Sequence, residues 1–92
     1  MYFVYLIISR NKDKIISYVG YTKNIKTRLF LHNTGKGAKF TKGRFWKLVY
    51  YKKYKKKSVA LKEEYKLKKN FKLREEIKKK NIKDENFCTS SI

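Results

Sequence analysis

The 92-residue chain has no proline, one cysteine, one histidine and only seven acidic side chains. A single cysteine rules out an intramolecular disulfide, and one distant histidine does not complete a zinc ligand set. Cys88 reads as an incidental free thiol, with a reducing compartment as the default. No apolar run is long enough to span a bilayer. No charged start, apolar middle and small-residue cleavage site marks a signal peptide. The run from Phe3 to Ile8 has the length of a strand. No internal repeat divides the chain, and its length fits one small domain with a thin core.

The scarcity of acids leaves a large excess of bases. There are 26 Lys and Arg, for a formal net charge of +19. Like charges repel in a compact state unless a polyanion offsets them. Nucleic acid is the simplest such partner, because its phosphates release counterions as Lys and Arg approach. An anionic membrane is the competing polyanion, and the chain lacks a membrane-protein pattern. The expected partner is therefore nucleic acid, DNA or RNA, with no membrane and a monomer by default. The expected location is the cytoplasm, at the nucleoid or at the equivalent DNA compartment of a viral or phage host.

Residues 2–9 are β-branched and aromatic with both faces apolar, which predicts a central strand. Arg10 to Lys14 reads as a polar turn, and Ile15 to Thr22 as the second strand of an antiparallel hairpin. Asn24 is a candidate N-cap. Ile25, Arg28, Leu29 and His32 share one stripe of a short helix ending near Asn33. A basic loop follows, and Phe45 to Tyr51 predicts a third strand. Lys52 to Lys57 reads as a connector. Ser58 caps an expected helix over 59–69, packed through Leu61 and Tyr65. Asn70 is a break, and a last helix is expected over 71–80 with Phe71, Leu73 and Ile77 as its apolar contacts. Residues 81–92 lose periodicity and are expected to form a frayed tail. The predicted fold is α+β, a three-stranded antiparallel β-sheet with helices packed on it, as one domain over residues 1–80.

Several side chains suit phosphodiester chemistry. Arg28 and His32 lie four apart on one helix face. A guanidinium there can grip a phosphate oxygen, and an imidazole beside it can relay a proton. Tyr5 and Tyr18 fall in the two strands of one hairpin and share a face if the register allows. A tyrosine ionises near pH 10, so it could deprotonate or position water only if neighbouring cations, such as Arg28, His32 and a metal ion, favour the phenolate. Glu63 and Glu64 are equal candidates, by sequence, for holding one Mg²⁺ or Mn²⁺. The pairing of Glu64 with Lys68 on the helix surface is the plainer alternative. Lys36, Lys39, Lys42 and Arg44 are spaced cations between glycines, suited to phosphate contacts. Lys53 and Lys55 form a second cluster around Tyr54, which reads as an aromatic able to stack on an unpaired base.

These residues carry a resemblance. Phe3-Val4-Tyr5, then Tyr18-Val19-Gly20-Tyr21-Thr22 with Asn24, Arg28 and His32-Asn33, resemble the GIY-YIG motif set. The stretch Thr34-Gly35-Lys36-Gly37-Ala38-Lys39-Phe40-Thr41-Lys42-Gly43-Arg44, Trp46-Lys47-Leu48-Val49-Tyr50 and the Ser58–Lys69 segment are similar to the small stand-alone bacterial members of that superfamily. The resemblance covers roughly residues 2–80. Phe3 stands at the usual glycine of the first motif, and Val4 and Val19 replace isoleucines. The resemblance implies a divalent-metal-dependent endonuclease leaving a 5′-phosphate and a 3′-hydroxyl. On that reading Tyr5 or Tyr18 activates or places the attacking water with help from His32. Arg28 grips the scissile phosphate, Glu64 holds one Mg²⁺ or Mn²⁺, and Gly20 lets the backbone turn close to the site. Asn70 and Asn81 are candidates for a late asparagine used by some members. A non-catalytic nucleic-acid-binding module on the same fold is the alternative expectation.

Overall fold

The computed structural model describes the backbone of residues 1–11 and 14–90, and the side chains of residues 1–10 and 14–81. Three strands form one antiparallel sheet in the order β2-β1-β3. The central strand is β1, Tyr2–Asn11, flanked by β2, Lys14–Thr22, and β3, Lys47–Tyr54. The central place of β1 follows from its sequence, because Val4 to Ile8 are all buried and its two faces feed two cores. Val4 and Leu6 pack with Val19, Ala60 and Leu67 on one face. Tyr5 and Ile7 pack with Trp46 on the other, where Tyr18, Leu29 and Leu48 close around them. This is the period-two alternation of a strand buried on both sides.

The register places Tyr5 opposite Gly20 and Ile7 opposite Tyr18. Tyr5 and Tyr18 therefore share the face covered by α1, Ile25–Asn33. Asn24 caps α1 as expected, its side chain accepting the Thr27 amide at 3.1 Å. On the far face lie α2, Lys57–Lys69, and α3, Phe71–Ser90. A 3₁₀ turn, Lys39–Thr41, interrupts the basic loop. The β1–β3 register shifts between Leu6 and Ile7, where Tyr50 and Leu48 are the successive partners and Val49 is the extra residue.

Several boundaries differ from the expectations. Arg10 and Asn11 pair with Ile15 and Lys14, so most of the expected polar turn is ladder. Residues 12 and 13 lie outside the described residues. The third strand starts at Lys47 and runs through Tyr54, taking in half of the lysine connector. An edge strand tolerates lysines because its exposed positions meet water. The N-cap of α2 is Lys56, without a side-chain cap bond, and Ser58 lies within the first turn.

The packed side of α2 is Ala60 and Leu67, with Leu61 39% and Tyr65 58% exposed. The small Ala60 side chain lets the helix approach the sheet, and Glu63 and Glu64, three and four residues on, are half-buried. Phe71 is likewise exposed, whereas Leu73 and Ile77 pack on the core. The α3 backbone is helical to Ser90, past the expected end at residue 80. The side chain of Cys88, like the rest of the expected tail beyond Asn81, falls outside the described residues.

Candidate active site

The face of the sheet under α1 carries a directed chain of hydrogen bonds. The Tyr5 hydroxyl lies 2.8 Å from His32 Nε2. His32 Nδ1 lies 2.8 Å from Thr41 Oγ1. The Thr41 hydroxyl in turn lies 2.8 Å from the Ala38 carbonyl. A carbonyl can only accept, so Thr41 spends its one hydroxyl proton there. Its oxygen must then accept from His32, which puts the imidazole proton on Nδ1. Nε2 is left as an acceptor, and Tyr5 donates to it. Tyr5, His32 and Thr41 are all buried.

Local sequence positions each member. Helical spacing brings Arg28 and His32 onto the face of α1 that meets the sheet. Gly20 and Gly37 supply clearance. A Cβ on Gly20 would lie 2.6 Å from Tyr5 Cζ, and one on Gly37 would lie 3.1 Å from His32 Cα. Gly20 is thus required for packing within a strand, directly across from Tyr5, and not for the backbone turn expected of it. Trp46 walls the cluster and donates its indole N–H to the Thr41 carbonyl at 2.9 Å. Asn33 bonds both the amide and the carbonyl of Trp46, fastening the end of α1 to the start of β3. Tyr18 lies edge-on to His32 with ring centres 5.2 Å apart, and Phe40 stacks on Tyr18 at 6.1 Å.

The electrostatics follow from burial. Burial pushes the Tyr5 phenol up to about 12, against the lowering influence of Arg28, while Tyr18 and Glu64 add to the rise. Burial and then the Arg28 charge hold His32 below its ordinary value of 6.5. The Arg28 side chain borders the same small void as Tyr5, and its Nε is buried without a hydrogen-bond partner among the described residues. A buried unpaired donor is costly, so this nitrogen has an unmet demand for an acceptor.

Glu63 and Glu64, equal in sequence, are separated by the fold. The Glu64 side chain is 16% exposed, ends 3.6 Å from Lys68 Nζ, and its charge is felt at Tyr5. The Glu63 side chain is 33% exposed, ends 3.6 Å from Lys66 Nζ, and its charge is felt at Tyr54 instead.

Among the described residues no three His, Cys, Asp or Glu side chains form a metal-binding group. A single carboxylate such as Glu64, whose charge is felt at Tyr5, suits Mg²⁺, which keeps several waters and combines one or two carboxylates with substrate phosphates. It does not suit a cation that needs a cage of protein ligands.

The basic residues spread over the surface. Lys36, Lys39 and Lys42 are exposed, and Arg44 is half-buried with its guanidinium 5.9 Å from the Phe40 ring centre. Gly35 and Gly43 bracket this loop at φ of +80° and +79°, a conformation that side chains disfavour. Lys53 and Lys55 are exposed at the end of β3 and are not part of the cluster. Tyr54 is half-buried against the α2 side of the sheet, and burial raises its phenol above the ordinary value. It is therefore a packing residue, not the free stacking platform expected from the sequence. Asn70 and Asn81 make local bonds, to the Leu73 amide and the Ile77 carbonyl.

Sequence reasoning missed Thr41 and Gly37 as site residues. Neither has a local signature, because each is defined by its contact with His32. Among the described residues, no helix is long and apolar enough to cross a membrane.

The family model of the GIY-YIG catalytic domain matches residues 1–81. The chain is 48% identical over 65 residues to a UPF0213 protein of Oceanobacillus iheyensis, covering 70% of this chain and 74% of that one. It is 42% identical over 87 residues to a UPF0213 protein of Clostridium perfringens, covering 90% and 91%. A UPF0213 protein of Staphylococcus haemolyticus is 45% identical over 65 residues, covering 70% and 78%. No solved structure gives a significant match.

Proposed function

The chain belongs to the GIY-YIG catalytic domain family, and from that premise we propose that it is a divalent-metal-dependent endonuclease hydrolysing phosphodiester bonds of DNA. Membership implies nuclease-type activity on nucleic acid, and nucleases of this family generally use divalent metal ions. The observation that carries the finer reading is the directed chain from Tyr5 through His32 to Thr41, with the charges of Arg28 and Glu64 felt at Tyr5.

Two routes to an activated water can be weighed. With a Tyr5 value of about 12, only roughly one phenol in 10⁵ is ionised at pH 7. A standing phenolate is therefore a poor base. A relay avoids it. Tyr5 accepts the proton of the attacking water while its own proton passes to His32 Nε2, which is neutral at pH 7 and already accepts that hydrogen bond. The water oxygen bonds to phosphorus as the bond from phosphorus to the 3′-oxygen breaks. The 3′-oxygen leaves as a hydroxyl, taking its proton from solvent, and the phosphate stays on the 5′ side. Thr41 holds His32 in the tautomer this requires.

Tyr5, rather than Tyr18, takes the base role because it is Tyr5 that bonds His32. Tyr18 contributes the ring edge that fixes the imidazole. Arg28, half-buried beside Tyr5, would turn its guanidinium to a phosphate oxygen. Glu64 would hold the Mg²⁺ or Mn²⁺, which when bound would draw charge from the phosphate and ease departure of the 3′-oxygen. Lys36, Lys39, Lys42, Arg44, Lys53 and Lys55 would contact phosphates. Such contacts do not read sequence, so structure or branching guides cleavage. This suits a role in repair, recombination or element mobility, in the DNA compartment of a cell or of a viral host.

The test is cleavage with Mg²⁺ or Mn²⁺ of single-stranded, duplex, flapped and four-way DNA. Wild-type protein cuts, and Glu64→Ala binds without cutting. Cutting that survives Glu64→Ala would refute the assigned site. The net charge of +19 favours one alternative, a non-catalytic binder. Salt-sensitive binding without cleavage under every metal would establish that reading instead.

A further inference from the structure

An open groove of about 450 Å³ lies on the α1 side of the sheet. Ile25 and Leu48 form its floor, and both also wall the small void beneath Tyr5 and Arg28. Phe3 and Tyr51 supply two aromatic rings, 6.2 Å apart between centres and inclined at 57°. Tyr51 is 52% exposed. Lys23, Lys26 and Lys53 stand around this apolar lining, and among the described residues no acidic side chain does.

We propose that this groove takes an unpaired nucleobase of the strand being cut, next to the scissile phosphate, so that single-stranded DNA and single-stranded flaps are the substrate class. The proposal rests on the nuclease reading for which strand is held, but base capture itself is testable without cleavage.

Three features carry it. Aromatic faces on an apolar floor match a base, and lysines around them match its flanking phosphates, the combination by which single strands are held. The charge pattern selects a polyanion over an apolar peptide or a lipid chain. The position is adjacent to the chemistry. Phe3 is two residues from Tyr5 on the same strand face, about 7 Å at strand rise, and Tyr51 is the partner of Tyr5 across the ladder. A paired base keeps its faces stacked inside the duplex, so only an unpaired one can lie in this groove against the exposed Tyr51 ring.

The experiment measures binding in EDTA by fluorescence anisotropy, using labelled oligothymidylate and a blunt duplex of equal length. Full-length wild type is compared with Tyr51→Ala, Tyr51→Phe and, as an exposed tyrosine outside the groove, Tyr65→Ala. Tyr51→Ala should weaken single-strand binding by about fivefold or more, the low end for one base–aromatic stack. Duplex binding should be unchanged. Tyr51→Phe should restore single-strand binding, and Tyr65→Ala should leave both intact. Equal weakening on both DNAs, or none on the single strand, would overturn the proposal. Groove-dependent binding by a protein that never cuts would sink the nuclease reading and keep the groove. Cutting by a protein indifferent to Tyr51→Ala would do the reverse.

Discussion

Replacing Thr41 by valine keeps the branched shape of the side chain and removes only its hydroxyl. In the native structure that hydroxyl accepts from His32 Nδ1 and donates to the Ala38 carbonyl, each at 2.8 Å. Thr41 is fully buried, so water cannot replace the lost partner. A buried N–H left without an acceptor costs about 1–3 kcal/mol. In a domain of this size each kcal/mol lowers Tm by about 4–8 °C. His32 can escape part of this cost by moving its proton to Nε2, but that nitrogen then donates to Tyr5 and can no longer accept from it. The base function is lost, which is worth about 10²-fold or more in rate.

DNA binding should be unaffected, because Thr41 presents no surface, and Thr41→Ser should recover both stability and rate. Ring-nitrogen NMR reads the step directly. The wild-type His32 proton sits on Nδ1, and in Thr41→Val it leaves that nitrogen. A wild-type proton on Nε2 would refute the reasoning outright. So would a Thr41→Val protein with native Tm and native cleavage.

Two further outcomes follow from the same cluster. Gly20→Ala places a methyl group 2.6 Å from Tyr5 Cζ inside a paired strand; overpacking of this kind costs about 1–3 kcal/mol, and a urea midpoint equal to wild type would contradict the packing. Stability should fall at both ends of the pH scale. Below about 6.5 the unfolded chain takes up a proton that folded His32 resists, so unfolding gains as pH drops through that range. Above about 10 unfolded tyrosine ionises while folded Tyr5 keeps its proton to about 12, so unfolding gains again. Urea midpoints against pH should lose part of the acid limb in His32→Gln and part of the alkaline limb in Tyr5→Phe; limbs unchanged by these substitutions would remove the buried neutral pair.

The parts of the fold legible in sequence were those set by short-range rules. A strand apolar on both faces had to be central, and β1 is. Asn24 and Asn70 had to punctuate helices, and each bonds an amide three residues on. Where reading failed, a weak local signal met a strong spatial one. Lys52, Lys53 and Tyr54 looked like a connector because lysines dominate it, yet an edge strand accommodates them. Leu61 and Tyr65 looked like the packed side of α2 because they are large. The helix instead packs through small Ala60, and bulk on the outer side is left in solvent.

The sequence by itself determined that Arg28 and His32 would stand together, because helical spacing enforces it. It determined that Tyr5 and Tyr18 could share a face once the hairpin register was set, and its charge made a polyanion the expected partner. Only the tertiary structure decided which carboxylate's charge is felt at Tyr5, which tautomer His32 adopts, and why Gly20 and Gly37 carry no side chain. Each of these rests on contacts between segments far apart along the chain, as with the 27 residues separating Tyr5 from His32. Hydrogen-bond direction and steric clearance are properties of the packed neighbourhood, and no local pattern of residues encodes them.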